Sequence, residues 1–298
     1  MLFKCMKTNK HFEFYINKPL KDFCTFKIGG DAKYLFIVHS IKGIKKAVKW
    51  CLKVKTKFKI IGCGANILFD DRGFDGAIIV NHADKIWGAN VNVGADAGCG
   101  IGRLINWAKN KHLSGLEHFA AIPSSLGGAI TNNLGAWGHE IAETVKWVKG
   151  FFVINGKFKR AKFTGNECKF EYRSSIFKTN NFIITKAKLH LAPDKAEKIE
   201  RNFKQALTKK QESQPIDLPS AGSIFKRTTV IPAKLIDESG LKGLSVGDAQ
   251  ISIKHAGFIV NLGSASSQQV KFLIKLIQDE IYSKCSATLE REIEYVEF

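Results

Sequence analysis

Residues 120–138, AAIPSSLGGAITNNLGAWG, form the segment that decides the fold of this chain. Gly127, Gly128 and Gly135 punctuate a run of serine, asparagine and small apolar residues that offers too little apolar mass for a core. Glycines let the backbone approach another group closely, and the polar side chains supply hydrogen bonds. Because long coil inside a compact domain is usually functional, we interpret residues 120–138 as a binding segment rather than a connecting loop.

A second glycine-rich turn ends the strand-like residues FKIIG (58–62). It consists of Gly62, Cys63, Gly64, Ala65 and Asn66. Ile67 stands at the third glycine position of G-x-G-x-x-G, so the turn is not a Rossmann fingerprint, and no G-K-[ST] makes it a Walker loop. Alone it is typical of a tight structural turn. Two such turns in one lobe, however, suggest a diphosphate held from two sides by backbone N–H groups, as in a dinucleotide such as FAD.

Hydrophobic periodicity predicts alternating strands and helices along the chain. Before Pro193, strands are predicted at 32–39, 58–62, 76–82, 91–97, 145–154, 157–163 and 182–191, and helices at 41–53 and 101–113. After it, helices are predicted at 194–213 and 266–284 and strands at 249–263 and 287–298. This order predicts an α+β protein of two lobes, 1–193 and 194–298. The first lobe is expected to have two parts, about 1–75 and 76–193, and the last strand is a candidate to rejoin it.

The formal net charge of +19 raises the possibility of a nucleic-acid-binding protein. Only seven of the 46 basic residues are arginine, the residue that phosphate and base recognition favour. The lysines are spread along the whole chain instead of forming one basic segment. We therefore favour a lysine-rich composition over a nucleic-acid footprint and expect no nucleic-acid partner.

The cysteines bear on metal binding and on the cellular compartment. There are seven, an odd number, and they are scattered without a C-x-x-C pair. This pattern argues against a disulfide framework and a zinc site and favours a reducing compartment. No apolar run approaches the ~20 residues that a membrane span needs, and the basic start leads into no apolar signal core. We expect a cytoplasmic protein without a metal ion or a membrane partner.

Two short segments carry polar residues on predicted turns. Arg173 lies in EYRSSIFK (171–178), and Ser223 follows Ala-Gly in PSAGSIFKR (219–227). Taken separately, a surface arginine and a serine at a bend are the ordinary interpretations of these positions.

The last predicted strand carries three acidic residues. Period-two alternation puts Glu290, Glu292 and Glu294 on one face, which is usually solvated. If that face instead lines a cleft, the clustered carboxylates raise one another's pKa, and one could be held protonated as an acid.

Taken together, these segments resemble the UDP-N-acetylenolpyruvoylglucosamine reductases, which have a vanillyl-alcohol-oxidase-like FAD fold. The resemblance is carried, in the family's order, by TFKIGG (25–30), GCGANIL (62–68), AIPSSLGGA (121–129), NLGAWG (133–138), YRSS (172–175), GSIFK (222–226) and LEREI (289–293). The short interval between Arg173 and Ser223 resembles the type II branch.

The chain departs from the family pattern at a few positions. Ala121 and Ser124 replace two glycines, and Cys63 and Ala65 replace a glycine and a serine. The three replacements of glycine, Cys63, Ala121 and Ser124, each add a Cβ atom where the backbone is expected to approach FAD. Arg227 begins a pair that stands where the family usually has Asn-Pro.

The resemblance implies a two-part, PCMH-type FAD-binding module followed by a smaller α+β substrate-binding domain. It implies non-covalent FAD, NADPH as the electron donor and a monomer. The implied cofactor-binding residues are Gly62, Cys63, Gly64, Ala65, Asn66, Ile67, Ile122, Pro123, Ser124, Gly127, Gly128, Asn133 and Gly135.

The resemblance also implies the reaction, which is the reduction of UDP-N-acetylglucosamine enolpyruvate to UDP-N-acetylmuramate in peptidoglycan synthesis. Arg173 and Glu292 are expected to stabilise the enolate that develops, and Ser223 is expected to protonate C2. The implied substrate-binding residues are Tyr172, Lys226 and Arg227. An oxidase on the same fold remains an alternative, but it would not account for the three catalytic residues together.

Overall fold

The computed structural model describes residues 7–179 and 181–298. The strands run, in chain order, β1 (Lys7–Asn9), β2 (Phe12–Pro19), β3 (Asp31–Val38), β4 (Phe58–Ile61), β5 (Ile67–Phe69), β6 (Phe74–Asn81), β7 (Ile86–Ala89), β8 (Asn92–Asp96), β9 (Leu113–Ser114), β10 (Gly135–Ala136), β11 (His139–Glu140), β12 (Val145–Ile154), β13 (Lys157–Thr164), β14 (Phe182–His190), β15 (Ala192–Pro193), β16 (Ser220–Ser223), β17 (Ser245–Val246), β18 (Ala249–Ile251), β19 (Phe258–Asn261) and β20 (Glu294–Val296). The helices are α1 (Ile41–Lys53), α2 (Ile101–Lys109), α3 (Leu126–Thr131), α4 (Ala196–Ser213), α5 (Pro232–Glu238) and α6 (Ser267–Cys285).

The first sheet has the order β1-β2-β3-β6-β4, antiparallel up to β3 and parallel from there on. Helix α1 begins after Ser40, whose hydroxyl accepts a hydrogen bond from the N–H of Gly43 at 3.1 Å, as an N-cap residue does. Its apolar stripe buries Ile44, Val48 and Cys51 against the sheet. This arrangement places the carboxyl end of β4, where the first glycine-rich turn begins, at one edge of the sheet.

The second sheet is antiparallel throughout and has the order β13-β12-β14-β8-β7. Helices α2 and α3 cover it and share one buried core with it. Strand β6 lies in the first sheet, between β3 and β4. The division between the two sheets therefore falls after Asn81, and not near residue 75 as the sequence suggested.

The C-terminal lobe contains the sheet β16-β19-β18-β17, against which α6 packs. The single strand predicted at 249–263 is wrong, since it is two antiparallel strands, β18 and β19. A turn reverses the chain between them, because the hydroxyl of Ser252 accepts hydrogen bonds from the N–H groups of Lys254 and His255. Within the described residues, no helix is long and apolar enough to cross a membrane.

The two lobes share one apolar core, which runs from Leu20 and Phe69 of the first lobe to Ile251 and Leu273 of the second. Strand β20 pairs in parallel with β5 of the first lobe. The regular strand predicted over 287–298 is wrong for most of its length, because only residues 294–296 pair in this way.

An acidic residue of the first lobe also caps a helix of the second. The carboxylate of Asp71 accepts hydrogen bonds from the backbone N–H of Ser267 at 2.8 Å, from its hydroxyl at 2.9 Å and from the N–H of Gln268 at 3.3 Å. Helix N-termini present unpaired N–H groups, so this contact satisfies donors of α6 and joins the lobes at the same time.

The cap predicts a loss of stability when Asp71 is replaced. We expect Asp71→Ala to lower the free energy of unfolding by about 1–2 kcal/mol, the usual value of an N-cap side chain. Urea denaturation followed by circular dichroism measures it. The control is Asp75→Ala, which breaks an exposed ion pair with Lys33 and should change stability little. Equal unfolding midpoints for the two variants would show that the cap contributes nothing.

Candidate functional site

A cleft of about 2070 Å³ opens where the two sheets and the C-terminal lobe meet. Both glycine-rich turns line it, and so do Arg173, Ser223 and Glu292, which lie far apart in sequence. Within the described residues, no group of three or more histidine, cysteine or acidic side chains is arranged to hold a metal ion.

The two glycine-rich turns contact each other at Gly62 and Ser125. A Cβ atom on Gly62 would overlap the Ser125 hydroxyl, which caps α3 by accepting from the N–H of Gly128 at 3.2 Å. Gly64 has a φ of 62° and lies against the backbone of Phe23 and Cys24. Glycine is needed at Gly64 both for the left-handed conformation and for the close approach.

The first turn offers unused hydrogen-bond donors to the cleft. In the described chain, the backbone N–H groups of Cys63, Gly64, Ala65 and Asn66 donate to no other protein group, and all four residues line the cleft. Successive free N–H groups in a concave turn form an anion-binding nest. These residues therefore fit the diphosphate of a dinucleotide such as FAD.

The second turn lines the same cleft beside the first. Ile122, Pro123, Ser124, Gly127 and Gly128, which the resemblance implies as cofactor-binding residues, all line the cleft. Ala121 has a φ of 57°, which explains why a glycine is usual at this position, since a residue with a Cβ adopts the left-handed region at a cost. Ile67, whose side chain is almost fully buried, and Gly135 also contribute to the lining.

Asn133 differs from the other residues of the predicted set in its position. Its side chain is fully buried and does not line the cleft. Its amide donates to the carboxylate of Glu140 at 2.7 Å and to the carbonyl of Glu171 at 3.0 Å, while its oxygen accepts from the N–H of Ala142 at 3.3 Å. With these bonds made, the side chain holds the hairpin β10–β11 against residue 171 and is not available to a cofactor.

Arg173 forms an ion pair with Glu292 across the cleft, with 2.8 Å between Nε and Oε1. Arg173 has a φ of 53° at the tip of a tight turn, which mutual backbone hydrogen bonds of 3.1 Å between Glu171 and Ser174 close. A Cβ on Gly135 would come within 2.7 Å of Nη1, so the glycine leaves room for the guanidinium. A left-handed non-glycine residue in a cleft is a common mark of a functional site.

Glu292 is the buried member of the acidic group. Its side chain is 16% exposed, compared with 61% for Glu290 and 52% for Glu294. Burial raises the pKa of the Glu292 carboxyl, and the positive charges of Arg173, Lys178 and Lys226 oppose that rise. All three acidic residues line the cleft, which is the second of the two alternatives that the sequence left open, but only Glu292 is largely buried.

Ser223 is the last residue of β16. Gly222, just before it, has a φ of 79°, and the pairing of β16 with β19 shifts register between Ser220 and Ser223. The Ser223 hydroxyl has no hydrogen-bond partner in the described chain, and Ser223 lines the cleft. The N–H of Glu292 donates to the carbonyl of Ile224 at 2.7 Å, which brings the segment of Glu292 beside that of Ser223.

The predicted substrate-binding residues lie near one another. Lys226 lines the cleft and forms an ion pair with Glu290. The Tyr172 hydroxyl accepts a hydrogen bond from the N–H of Arg227 at 3.2 Å, but neither of these two residues lines the cleft.

The sequence missed part of the lining. Residues 214–219 and Lys210 of α4 also face the cleft. Burial lowers the pKa of Lys210 to about 8. The two prolines in QPIDLP were the available signal, since they exclude a continuation of α4 and favour a fixed loop.

The fold and the cleft define a protein with an FAD-binding module and a second domain that closes the cleft. A family model described as FAD binding domain matches residues 32–161. A second, described as UDP-N-acetylenolpyruvoylglucosamine reductase, C-terminal domain, matches residues 214–296.

Relatives and a solved structure agree with these matches. The chain is 41% identical to the UDP-N-acetylenolpyruvoylglucosamine reductase of Carboxydothermus hydrogenoformans, over 93% of this chain and 92% of the relative. It is 39% identical to the reductase of Pseudothermotoga lettingae, over 95% and 97%. The crystal structure of UDP-N-acetylenolpyruvylglucosamine reductase from Thermus caldophilus superposes with a TM-score of 0.79 at 32% identity, covering 95% of this chain and 98% of that one. This chain belongs to the UDP-N-acetylenolpyruvoylglucosamine reductase family, so the resemblance inferred from the sequence is confirmed.

The close contact between Gly62 and Ser125 predicts that a methyl group added at Gly62 weakens flavin binding. We expect Gly62→Ala to lower the flavin-to-protein ratio after gel filtration several-fold, because the new Cβ displaces Ser125 and widens the nest. The control is Gly102→Ala in α2, where a Cβ meets nothing within 4 Å. A Gly62→Ala variant that melts like the wild type and retains as much flavin as Gly102→Ala would contradict the proposed cradle.

Proposed function

We propose that this protein reduces the enolpyruvyl group of UDP-N-acetylglucosamine enolpyruvate to give UDP-N-acetylmuramate, with non-covalent FAD and with NADPH as the electron donor. The observation that carries the proposal is the convergence of Arg173, Ser223 and Glu292 on the cleft that also contains the N–H nest of residues 63–66. When bound, FAD supplies the acceptor for hydride from NADPH and the donor of hydride to C3 of the enolpyruvyl group.

The nest and the second turn explain how the dinucleotide is held. The free N–H groups of residues 63–66 bind the diphosphate, and residues 122–128 approach it from the other side. No cysteine or histidine is needed as a covalent attachment point for this mode of binding. Acid precipitation is therefore expected to release the flavin into the supernatant.

Arg173 and Glu292 act on the carboxylate side of the substrate. Hydride addition at C3 leaves negative charge at C2 that is delocalised onto the carboxylate oxygens as an enolate, and Arg173 brings permanent positive charge to them. The proposed role of Glu292 requires its protonated form, which donates a hydrogen bond to the same oxygens, and burial moves the pKa of the carboxyl in that direction. The hydrogen bond from Arg173 Nε holds the carboxyl group in place before substrate binds.

Ser223 provides the proton for C2. Its hydroxyl is free of protein partners, and the backbone of β16 fixes its position. A serine hydroxyl is a weak acid, so the proton transfer depends on nearby positive charge, which Lys226 in the cleft lining supplies. The lysine-rich surface, with a formal net charge of +19, attracts the anionic nucleotide sugar.

Anaerobic half-reactions test this proposal. The purified protein is reduced with NADPH and then mixed with the enolpyruvyl substrate, and the oxidised-flavin absorption band is followed. The band is expected to return with one equivalent of UDP-N-acetylmuramate. A flavin that is reoxidised only when oxygen is admitted would instead point to an oxidase.

The roles of Arg173 and Glu292 predict damage to the second half-reaction alone. We expect Arg173→Ala to slow reoxidation by substrate by about 10²-fold or more, as loss of one charge-stabilising donor does, with a smaller loss for Glu292→Gln. Reduction by NADPH should change little. Stopped-flow absorbance measures both steps, with Glu294→Gln as the control for an exposed carboxylate. Equal slowing of both half-reactions would assign these residues to flavin binding or folding.

The role of Ser223 predicts a selective loss of proton donation. We expect Ser223→Ala to lower the rate of reoxidation by about 10²–10⁴-fold, the usual value of general-acid catalysis, while flavin content stays constant. Ser223→Cys should retain more activity than Ser223→Ala, because a thiol can still donate. Ser220→Ala, on the same strand and also in the cleft lining, is the control. A wild-type rate for Ser223→Ala would mean that another group protonates C2.

A further inference from the structure

Lys178 ends the segment 171–178 and has no part in the function described above. It belongs to a short 3₁₀ turn, Ile176–Lys178, and lines the cleft. Its ammonium group donates a hydrogen bond to the backbone carbonyl of Arg173 at 3.0 Å.

The Arg173 carbonyl, which Lys178 contacts, belongs to a residue in an unfavourable backbone conformation. Arg173 has a φ of 53°, in a region that a residue with a Cβ adopts only when the surrounding structure holds it there. The turn around it has closing hydrogen bonds only between Glu171 and Ser174. In the described chain, Lys178 is the sole donor to the Arg173 carbonyl. The Ser174 N–H of the same peptide group donates to Glu171, so Lys178 holds the carbonyl side of a peptide whose N–H side the turn already holds.

The same ammonium group belongs to the charge cluster around Glu292. The charged groups that face it are Arg173, Lys226, Glu290, Glu292 and Glu294. Burial and the positive charge of Lys226 lower the pKa of Lys178. The charge of Lys178 also stabilises the carboxylate form of Glu292, together with Arg173 and Lys226.

We propose that Lys178 is a positioning residue, which holds the left-handed peptide of Arg173 and thereby aims the guanidinium at Glu292 and at the carboxylate of the substrate. The inference rests on the proposed function and adds a residue to it. Lys178 acts through Arg173 and does not need to touch the substrate.

The variants are chosen to separate the hydrogen bond from the general loss of a charge. Lys178→Met removes the charge and the donor but keeps an unbranched side chain, and Lys178→Arg keeps both. Lys57→Met is the matched control, because Lys57 also lines the cleft, packs against Phe74 and does not contact Arg173. Flavin content and melting temperature are measured for all three.

The first readout is the substrate half-reaction as a function of substrate concentration. We expect Lys178→Met to lower the limiting rate of reoxidation about tenfold, the order expected for one hydrogen bond to a charged group, and to change the substrate dissociation constant less. Lys178→Arg should recover most of the rate, and Lys57→Met should behave like the wild type.

The second readout is the pH profile of the limiting rate. In the proposed function the protonated form of Glu292 is the active one, so the rate falls as the pH rises through its pKa. Removal of the Lys178 charge takes away a group that favours the carboxylate, so that pKa rises and the falling limb moves to higher pH. In a Glu292→Gln background the limb is absent, and Lys178→Met should then shift nothing.

The outcomes separate this inference from the function on which it rests. A wild-type protein that the substrate does not reoxidise refutes the proposed function, whatever the variants do. A reactive wild type with a Lys178→Met variant that matches Lys57→Met in rate and in pH profile overturns the positioning role. So does a slower variant that has lost flavin or melts lower but keeps the wild-type pH profile, because that is the signature of a merely structural lysine.

Discussion

The ion pair between Arg173 and Glu292 is the contact on which the site depends, because it places opposite charges from two lobes in one partly buried cleft. The two residues are 119 positions apart in sequence, and their side chains are 23% and 16% exposed. Desolvation raises the pKa of the carboxyl and three nearby cations lower it. A buried carboxylate is stable only when such partners are held in place, so the pair constrains the backbone on both sides of the cleft.

In the first lobe, Arg173 reaches Glu292 from an unfavourable backbone conformation. Arg173 takes a positive φ, and Gly135 leaves space for the guanidinium. On the other side, Glu292 is held by pairing of its segment with Ile224 and by the parallel pairing of β20 with β5. These contacts require the lobes to stay together, which the shared core and the Asp71 cap on α6 achieve. The geometry of the cleft is thus a consequence of how the lobes are joined.

Much of the fold could be predicted because it follows from local pattern. The predicted helix 41–53 matches Ile41–Lys53, since Ser40 caps it and its apolar stripe is regular. The two glycine-rich turns were recognisable because glycine is required where backbones approach each other, as Gly62 approaches Ser125. The predicted helix 101–113 ends four residues early, at Lys109, shortly before His112 adopts a φ of 55°. The end of such a helix depends on backbone conformations that cannot be predicted from the residue types.

The features that could not be predicted depend on contacts between distant segments. The resemblance implies Asn133 as a cofactor-binding residue, and only the fold shows that its buried side chain bonds to Glu140 and Glu171. The acidic alternation at 290–294 allowed either a solvated face or a cleft lining, and only the fold shows that all three residues line the cleft while Glu292 alone is largely buried. Lys178 was visible in the segment 171–178, but its bond to a left-handed carbonyl exists only in the folded turn.

The most direct test of this account is a crystal structure of the protein with FAD and the enolpyruvyl substrate bound. The account predicts the flavin diphosphate within hydrogen-bond distance of the N–H groups of residues 63–66. It also predicts the substrate carboxylate between Arg173 and Glu292, with the Ser223 hydroxyl directed at C2. A substrate carboxylate bound elsewhere in the cleft, with the Arg173–Glu292 pair unchanged and Ser223 remote from C2, would contradict it.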